Sequence, residues 1–222
     1  MAKMLQAMLR GSVTSLEVFF LTLLFALPLA FPFCAGRMAK SRILSGATKA
    51  FLLVIRGTPL MLQLLVVYFG PSLLCLWFNN NFGTDFRVSW PRFLAALVAL
   101  IVNYAAYFAE IYRGGIESIP VGQYEAAKVL GYTKRQTFLY IILPQVVKRI
   151  MPAMGNETIT LVKDTALVQV IGVSELLRVA QETQSRLFSF MPLFVAGVFY
   201  LTMNWGVEIV FARIEARLAY YR

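Results

Sequence analysis

Five residues in one short stretch carry chemistry where lipid would be expected. Asn156, Glu157, Thr160, Lys163 and Asp164 lie in the run 150–172, between long apolar segments. At 3.6 residues per turn they fall within an arc of roughly 120° on one helix. An ionisable side chain at the centre of a membrane helix costs about 2.5–3.5 kcal/mol on insertion scales. Such a stripe has to face protein or water. Two readings stay open on the residues alone: mutual pairing that glues a bundle, Lys163 with a neighbouring acid, or the lining of a path for a polar solute.

Two more apolar runs repeat the pattern. In 92–113, Asn103, Tyr107 and Glu110 stand at i, i+4 and i+7, one face of a helix. In 50–70, Arg56 aligns with Gln63 across Gly57-Thr58-Pro59, which breaks the helix between them. Counting along each helix sets Gln63, Asn103 and Asp164 near a common midplane, with Arg56 and Glu110 closer to one end. An Arg56–Glu110 ion pair of structural character follows. Asn204 and Glu208 in 191–212 read as packing. No His occurs in the chain, which removes Ser–His–Asp and Cys–His nucleophile systems and the commonest zinc ligand. No GxxxxGK[ST] phosphate loop is present, so any ATP-derived work comes from elsewhere. A membrane enzyme is therefore disfavoured.

The elements that must hold these residues follow from composition. The chain has 222 residues, 59% of them hydrophobic and 14% charged, with a mean hydropathy of +0.69. A soluble domain carries about 25% charged residues. This predicts an all-α integral membrane protein with five spans at about 14–35, 50–70, 92–113, 150–172 and 191–212. Pro28 and Pro32 are expected to bend the last turns of the first, which reads as a retained span rather than a removed signal. The segments 36–49, 71–91 and 173–190 read as loops, the last charge-balanced by Glu175, Arg178, Glu182 and Arg186.

The net charge of +10 would suggest nucleic acid in a soluble chain, but here its distribution points to membrane topology. Twelve Lys and Arg collect on one side, in 36–49, in 114–149 and in the tail, against about five on the other, Lys3, Arg10, Arg87, Arg178 and Arg186. The positive-inside rule then sets the N-terminus outside and the C-terminus in the cytoplasm. Cys34 and Cys75 fall near opposite faces and cannot bridge. Asn156-Glu157-Thr158 matches a glycosylation acceptor but begins a membrane helix. No internal repeat of the kind found in many secondary transporters is visible.

One segment fits neither lipid nor an ordinary loop. "YEAAKVLGYTKRQTFLYIILP", 124–144, predicts a short amphipathic helix over 123–130, a break at Gly131 and a second helix over 133–143 stopped by Pro144. Its edge with Gln123, Tyr124 and Lys128 suits a groove on another protein. A solvated loop lying along the membrane surface is the competing reading.

Resemblance shifts that balance. The segment fits EAA-x3-G-x9-I-x-LP of ATP-binding-cassette importer permeases at Glu125, Ala126, Ala127, Gly131, Ile141, Leu143 and Pro144. "IRGTPLMLQL" at 55–64, "AYFAEIYRGGIESIPVGQYEAA" at 106–127 and "LVKDTALVQVIGVSEL" at 161–176 resemble its polar amino-acid branch, the histidine-, glutamine-, arginine- and cystine-type permeases. The resemblance implies a type I importer transmembrane domain (MetI-like) over 1–222, in the bacterial inner membrane. Gln123, Tyr124, Glu125, Ala126, Ala127, Lys128 and Gly131 would then form the coupling helix within 114–149. Its implied partners are a cytoplasmic ATPase dimer, which holds ATP and Mg, a second permease subunit and an extracytoplasmic solute-binding protein. The chain itself would hold no cofactor or metal. An amino-acid site would be lined by Gln63, Asn103, Tyr107 and Asp164, with Glu110 and Glu157 nearer the cytoplasmic exit. The alternative class is a secondary transporter or channel driven by an ion gradient.

Overall fold

In the computed structural model, residues 2–219 are described, with side chains from residue 4; Lys3 and Arg222, counted in the charge asymmetry, lie outside the described side chains. Among the described residues every regular element is helical. Four helices are long and apolar enough to cross a membrane: Met4–Arg37, Leu60–Phe82, Arg92–Glu117 and Met191–Leu218. The fifth expected span belongs to a helix too polar to join them, because the stripe that drew attention to it lowers its hydropathy.

Helix α1, Ala2–Arg37, is longer than the predicted span and runs through Pro28 and Pro32 without ending. The basic loop expected at 36–49 is mostly helix. Ser41 caps α2, Arg42–Gly57, its Oγ accepting from Leu44 N–H at 3.4 Å, and only 38–41 remain as a connection. The predicted single span 50–70 is thus two helices. Thr58, ahead of a proline, is forced extended (φ −114°, ψ 146°), and α3, Leu60–Phe82, starts afresh after Pro59. Helix α3 also passes through Pro71 and consumes half of the expected 71–91 loop, stopping only at Gly83, φ +64°.

Helix α4, Arg92–Glu117, is the central element. Ala95, Ala96, Ala99, Ala105, Ala106 and Ala109 are all buried on it, and such small side chains let the parallel α1 approach closely. At one end of this pair Tyr112 packs on Phe31 at 4.9 Å and Arg37 meets Glu110. At the other, a Cβ on Gly11 of α1 would lie 2.9 Å from Leu176 Cα, so the chain approaches α1 backbone to backbone. The first is called the basic end below, the second the far end.

From the basic end the chain forms α5, Val121–Val129, and α6, Lys134–Gln136. It then takes a π-helical turn, Thr137–Ile142, straight into α7, Leu143–Asp164. Pro144 was expected to stop the helix and does not. A proline ring collides with the carbonyl four residues back and offers no N–H. The wider π turn immediately before it removes that collision, so the helix continues. A 3-10 stretch, Thr165–Ile171, carries the chain on to the far end. Helix α9, Met191–Leu218, returns along α7, where Phe211 covers Gly155.

The expected loop 173–190 is instead built around α8, Leu176–Leu187, and its first charge is not on the surface. Glu175 is fully buried and caps α8, accepting from Leu177 N–H and Arg178 N–H at 2.7 Å each. It also accepts from the Tyr200 hydroxyl at 2.7 Å and the Ser15 hydroxyl at 3.4 Å, while Ser15 accepts from Leu176 N–H. Burial pushes the Glu175 carboxyl above the usual range, and these donors pull it back. One carboxylate thereby ties α1, α8 and α9 together. Glu175→Ala removes the cap and strands the Tyr200 hydroxyl, a loss of about 3 kcal/mol. A clearly lowered unfolding temperature of the detergent-purified protein is expected, with Glu175→Gln in between.

Candidate functional site

The break between α2 and α3 leaves the last carbonyls of α2 without intrahelical donors. Two side chains satisfy them. The Thr58 hydroxyl donates to the Val54 carbonyl at 2.9 Å, and Gln63 Nε2 donates to the Ile55 carbonyl at 2.6 Å and to Thr58 Oγ1 at 2.8 Å. Gln63 Oε1 then accepts from Asn103 Nδ2 at 3.0 Å, with Asn103 only 4% exposed. Gln63 and Asn103 therefore meet, and their amides brace the break behind the polar face.

In front of that brace runs a chain of polar contacts along α4. Tyr104, 1% exposed, donates its hydroxyl to Asp164 Oδ2 at 2.7 Å. Tyr107 lies 6.4 Å from Tyr104, ring to ring, and the Arg56 guanidinium sits 5.2 Å from the Tyr107 centroid. Arg56 reaches Glu110 at 3.8 Å, so the predicted ion pair is present. Glu110 is more crowded than expected, since Arg37 of α1 lies at 3.5 Å and Arg113 at 2.7 Å. Three guanidiniums from three helices converge on one carboxylate, which locks α1, α2 and α4 at the basic end.

On α7 the stripe divides by depth. Glu157 and Asp164, two turns apart on one face, are half-buried, while Asn156, Thr160 and Lys163 are exposed. Lys163 makes no ion pair among the described residues, so its pairing with a neighbouring acid is not what holds the bundle. The stripe presents a polar face on the outside of this single chain.

Tyr104 is the residue that spacing missed. It stands one position after Asn103, about 100° off the predicted stripe, and reads as core. The pair Tyr104 and Tyr107 at i, i+3 was the available signal, since a buried phenol requires a partner.

The segment 114–149 forms a rigid corner at the basic end. Ile119, Ile142 and Val146 make a small core with Ile116, Ile141 and Ile150. Arg149 donates to the Ser118 carbonyl, and Gln145 Nε2 donates to Gln123 Oε1 at 3.2 Å. Of α5 only Ala127 is buried; Gln123, Tyr124, Glu125, Ala126 and Lys128 all face outward. The exit from α5 is a Schellman motif. Tyr132 N–H donates to the Ala127 carbonyl at 3.0 Å and Gly131 N–H to the Lys128 carbonyl at 3.1 Å, with Gly131 at φ +77°. The sequence places a helix break at Gly131, and the structure has one there. No atom lies within 4 Å of where its Cβ would be, so the backbone angle is the reason for the glycine. Past the corner, Val129 is 87% exposed and Leu130 72%. A rigid platform thus holds an uncovered, partly apolar helix clear of the bundle.

Comparison with known proteins converges on one group. The model of the family described as binding-protein-dependent transport system inner membrane component matches residues 18–220. The nopaline transport system permease protein NocM of Agrobacterium fabrum is 34% identical over 203 residues, covering 88% of this chain and 80% of its own. The arginine transport system permease protein ArtQ of Bacillus subtilis is 41% identical over 167 residues, covering 74% and 71%. A crystal structure of an amino acid ABC transporter with histidines superimposes with a TM-score of 0.84 at 32% identity, covering 98% of this chain and 96% of that one.

Proposed function

This chain belongs to the binding-protein-dependent transport system inner membrane components, and on that premise we propose that it carries polar amino acids across a bacterial inner membrane at the expense of ATP hydrolysed elsewhere. It is a translocation permease subunit of an ATP-binding-cassette importer. In the proposed arrangement the basic end is cytoplasmic, the N-terminus lies outside and α7 is the fifth span. Two permease subunits, identical or a close pair, set their α7 stripes facing one another. The stripe's exposure on the single chain supports this, because charge on a lipid-facing surface would be costly.

The single observation that carries the reading is the pairing of two features on one rigid frame. Asp164 is held by Tyr104 halfway along α4, and the uncovered α5 stands at the basic end. An ammonium approaching the stripe meets the Asp164 carboxylate, whose Oδ2 is fixed by the tyrosine hydroxyl while Oδ1 is left for the solute. Glu157 offers a second carboxylate two turns nearer the basic end. At that end α5 fits into a cleft of a cytoplasmic ATPase dimer, which binds ATP and Mg. When nucleotide draws the two ATPase subunits together, each moves its α5. The core of Ile119, Ile142 and Val146 passes that movement to α4 and α7 as a rigid body. An extracytoplasmic binding protein delivers the solute to the other face.

Reconstitution tests it. The permease and its ATPase in proteoliposomes, with the binding protein added outside, are expected to accumulate L-arginine or L-glutamine only with ATP in the ATPase compartment. Uptake driven by an ion gradient in vesicles lacking the ATPase would replace this reading with a secondary transporter.

A further inference from the structure

At the far end, two guanidiniums converge on one patch of backbone. Arg92 Nη1 lies 2.9 Å and Arg178 Nη1 3.3 Å from the position a Cβ would take on Gly172, whose φ is +87°. Glycine serves twice there, for the backbone turn and for the space that the two side chains occupy. Like charges so placed repel unless something between them is negative. Arg178 has a partner, Glu182, at 2.9 Å. Arg92 has none: its Nε faces the Tyr68 hydroxyl at 3.3 Å, and no carboxylate among the described residues pairs with it. It is exposed at the first turn of α4. With Nε turned to Tyr68, the two terminal nitrogens are left to face an incoming acceptor.

The patch is in line with the polar face already described. Arg92 and Asn103 share α4, eleven residues or about 16 Å apart. Tyr68 and Gln63 share α3, and Gly172 ends the 3-10 stretch that follows Asp164. A solute travelling from the far end passes guanidiniums first and a carboxylate second, complementary in order to a zwitterion whose two charges must leave water in turn.

We infer that Arg92, with Arg178 and the Tyr68 hydroxyl beside it, receives the carboxylate of the incoming amino acid before its ammonium reaches Asp164. The inference rests on the amino-acid reading above. Trp90 provides a probe, because its Nε1 donates to the Tyr68 carbonyl at 3.4 Å and only three tryptophans occur in the chain. With Trp77 and Trp205 replaced by Phe, the ATPase-bound complex in phosphatidylcholine nanodiscs is titrated with L-glutamine, L-arginine and their α-amides. The acids are expected to shift Trp90 emission at concentrations about tenfold lower than the amides. R92Q, checked for folding by its unfolding temperature, abolishes that preference. R178Q weakens it, and R87Q, a change at an exposed arginine paired with Asp85, leaves it intact. Equal response to acids and amides, an unchanged preference in R92Q, or a response only to added phosphatidylglycerol overturns the inference. The two readings separate cleanly. Absence of ATP-driven uptake of both amino acids by the unmodified complex sinks the proposed function. A missing acid preference in a complex that does transport sinks this inference alone.

Discussion

Asp164→Asn is expected to leave the proposed complex assembled and hydrolysing ATP, and to lower uptake of L-arginine or L-glutamine roughly a hundredfold. Asparagine keeps the size of the side chain, and its amide oxygen still accepts from the Tyr104 hydroxyl, now at 2.7 Å from Oδ2. Only the charge is lost. In a half-buried position an ammonium–carboxylate hydrogen bond contributes about 3 kcal/mol, which corresponds to that factor in affinity. The effect falls on transport and not on ATP hydrolysis, because α5 and its supporting core lie at the other end of α7. Measured initial rates across a range of solute concentrations decide the matter. Unchanged affinity and rate would remove Asp164 from the solute path. Loss of assembly would instead make it a pairing residue across the subunit boundary. Tyr104→Phe is the informative companion, since it frees the carboxylate without neutralising it.

That residues so far apart in the chain form one face is partly legible from their types and spacing. The stripes on 92–113 and 150–172 follow from helical period and from the cost of charge in lipid, and both fix which face of each helix is polar. The break at Gly57-Thr58-Pro59 and the Arg56–Glu110 pair follow from proline sterics and from depth counting; both are present. What spacing could not supply was the use of each group once packed. Gln63 reads as a solute ligand by position, yet the break it spans needs donors, and its amide is directed there. Glu175 reads as a loop charge because its neighbours alternate in sign. Its role depends on Ser15 and Tyr200, residues that no local window contains. The first half of helix α2 was hidden by Arg42 and Lys49, which are exposed on an amphipathic helix and resemble a loop when only their number is counted. Pro144 was misjudged because a π turn absorbs it, and a π turn has no marker in composition.

Gly131→Leu is expected to weaken coupling about 5- to 30-fold while membrane insertion and solute-site geometry survive. At φ +77° a leucine carries a penalty of about 1–2 kcal/mol, since its Cβ crowds the backbone carbonyl. Relaxing to negative φ relieves that penalty but sacrifices the bonds from Tyr132 to Ala127 and from Gly131 to Lys128. Relaxation turns the chain leaving α5 away from the Thr133 capping box that starts α6, so α5 no longer sits squarely on the Ile119–Ile142–Val146 core. An energy of that size shifts a two-state equilibrium by a factor of about 5–30, and solute-stimulated ATP hydrolysis should fall accordingly. Gly131→Asn separates the possible causes, because asparagine tolerates the left-handed region far better than leucine. With open space around position 131, the Asn variant should couple almost normally. Equal loss in both variants would put the constraint in the ATPase cleft rather than in the backbone. Normal stimulation in the Leu variant would detach the Schellman corner from force transmission, leaving α5 at most a site of attachment.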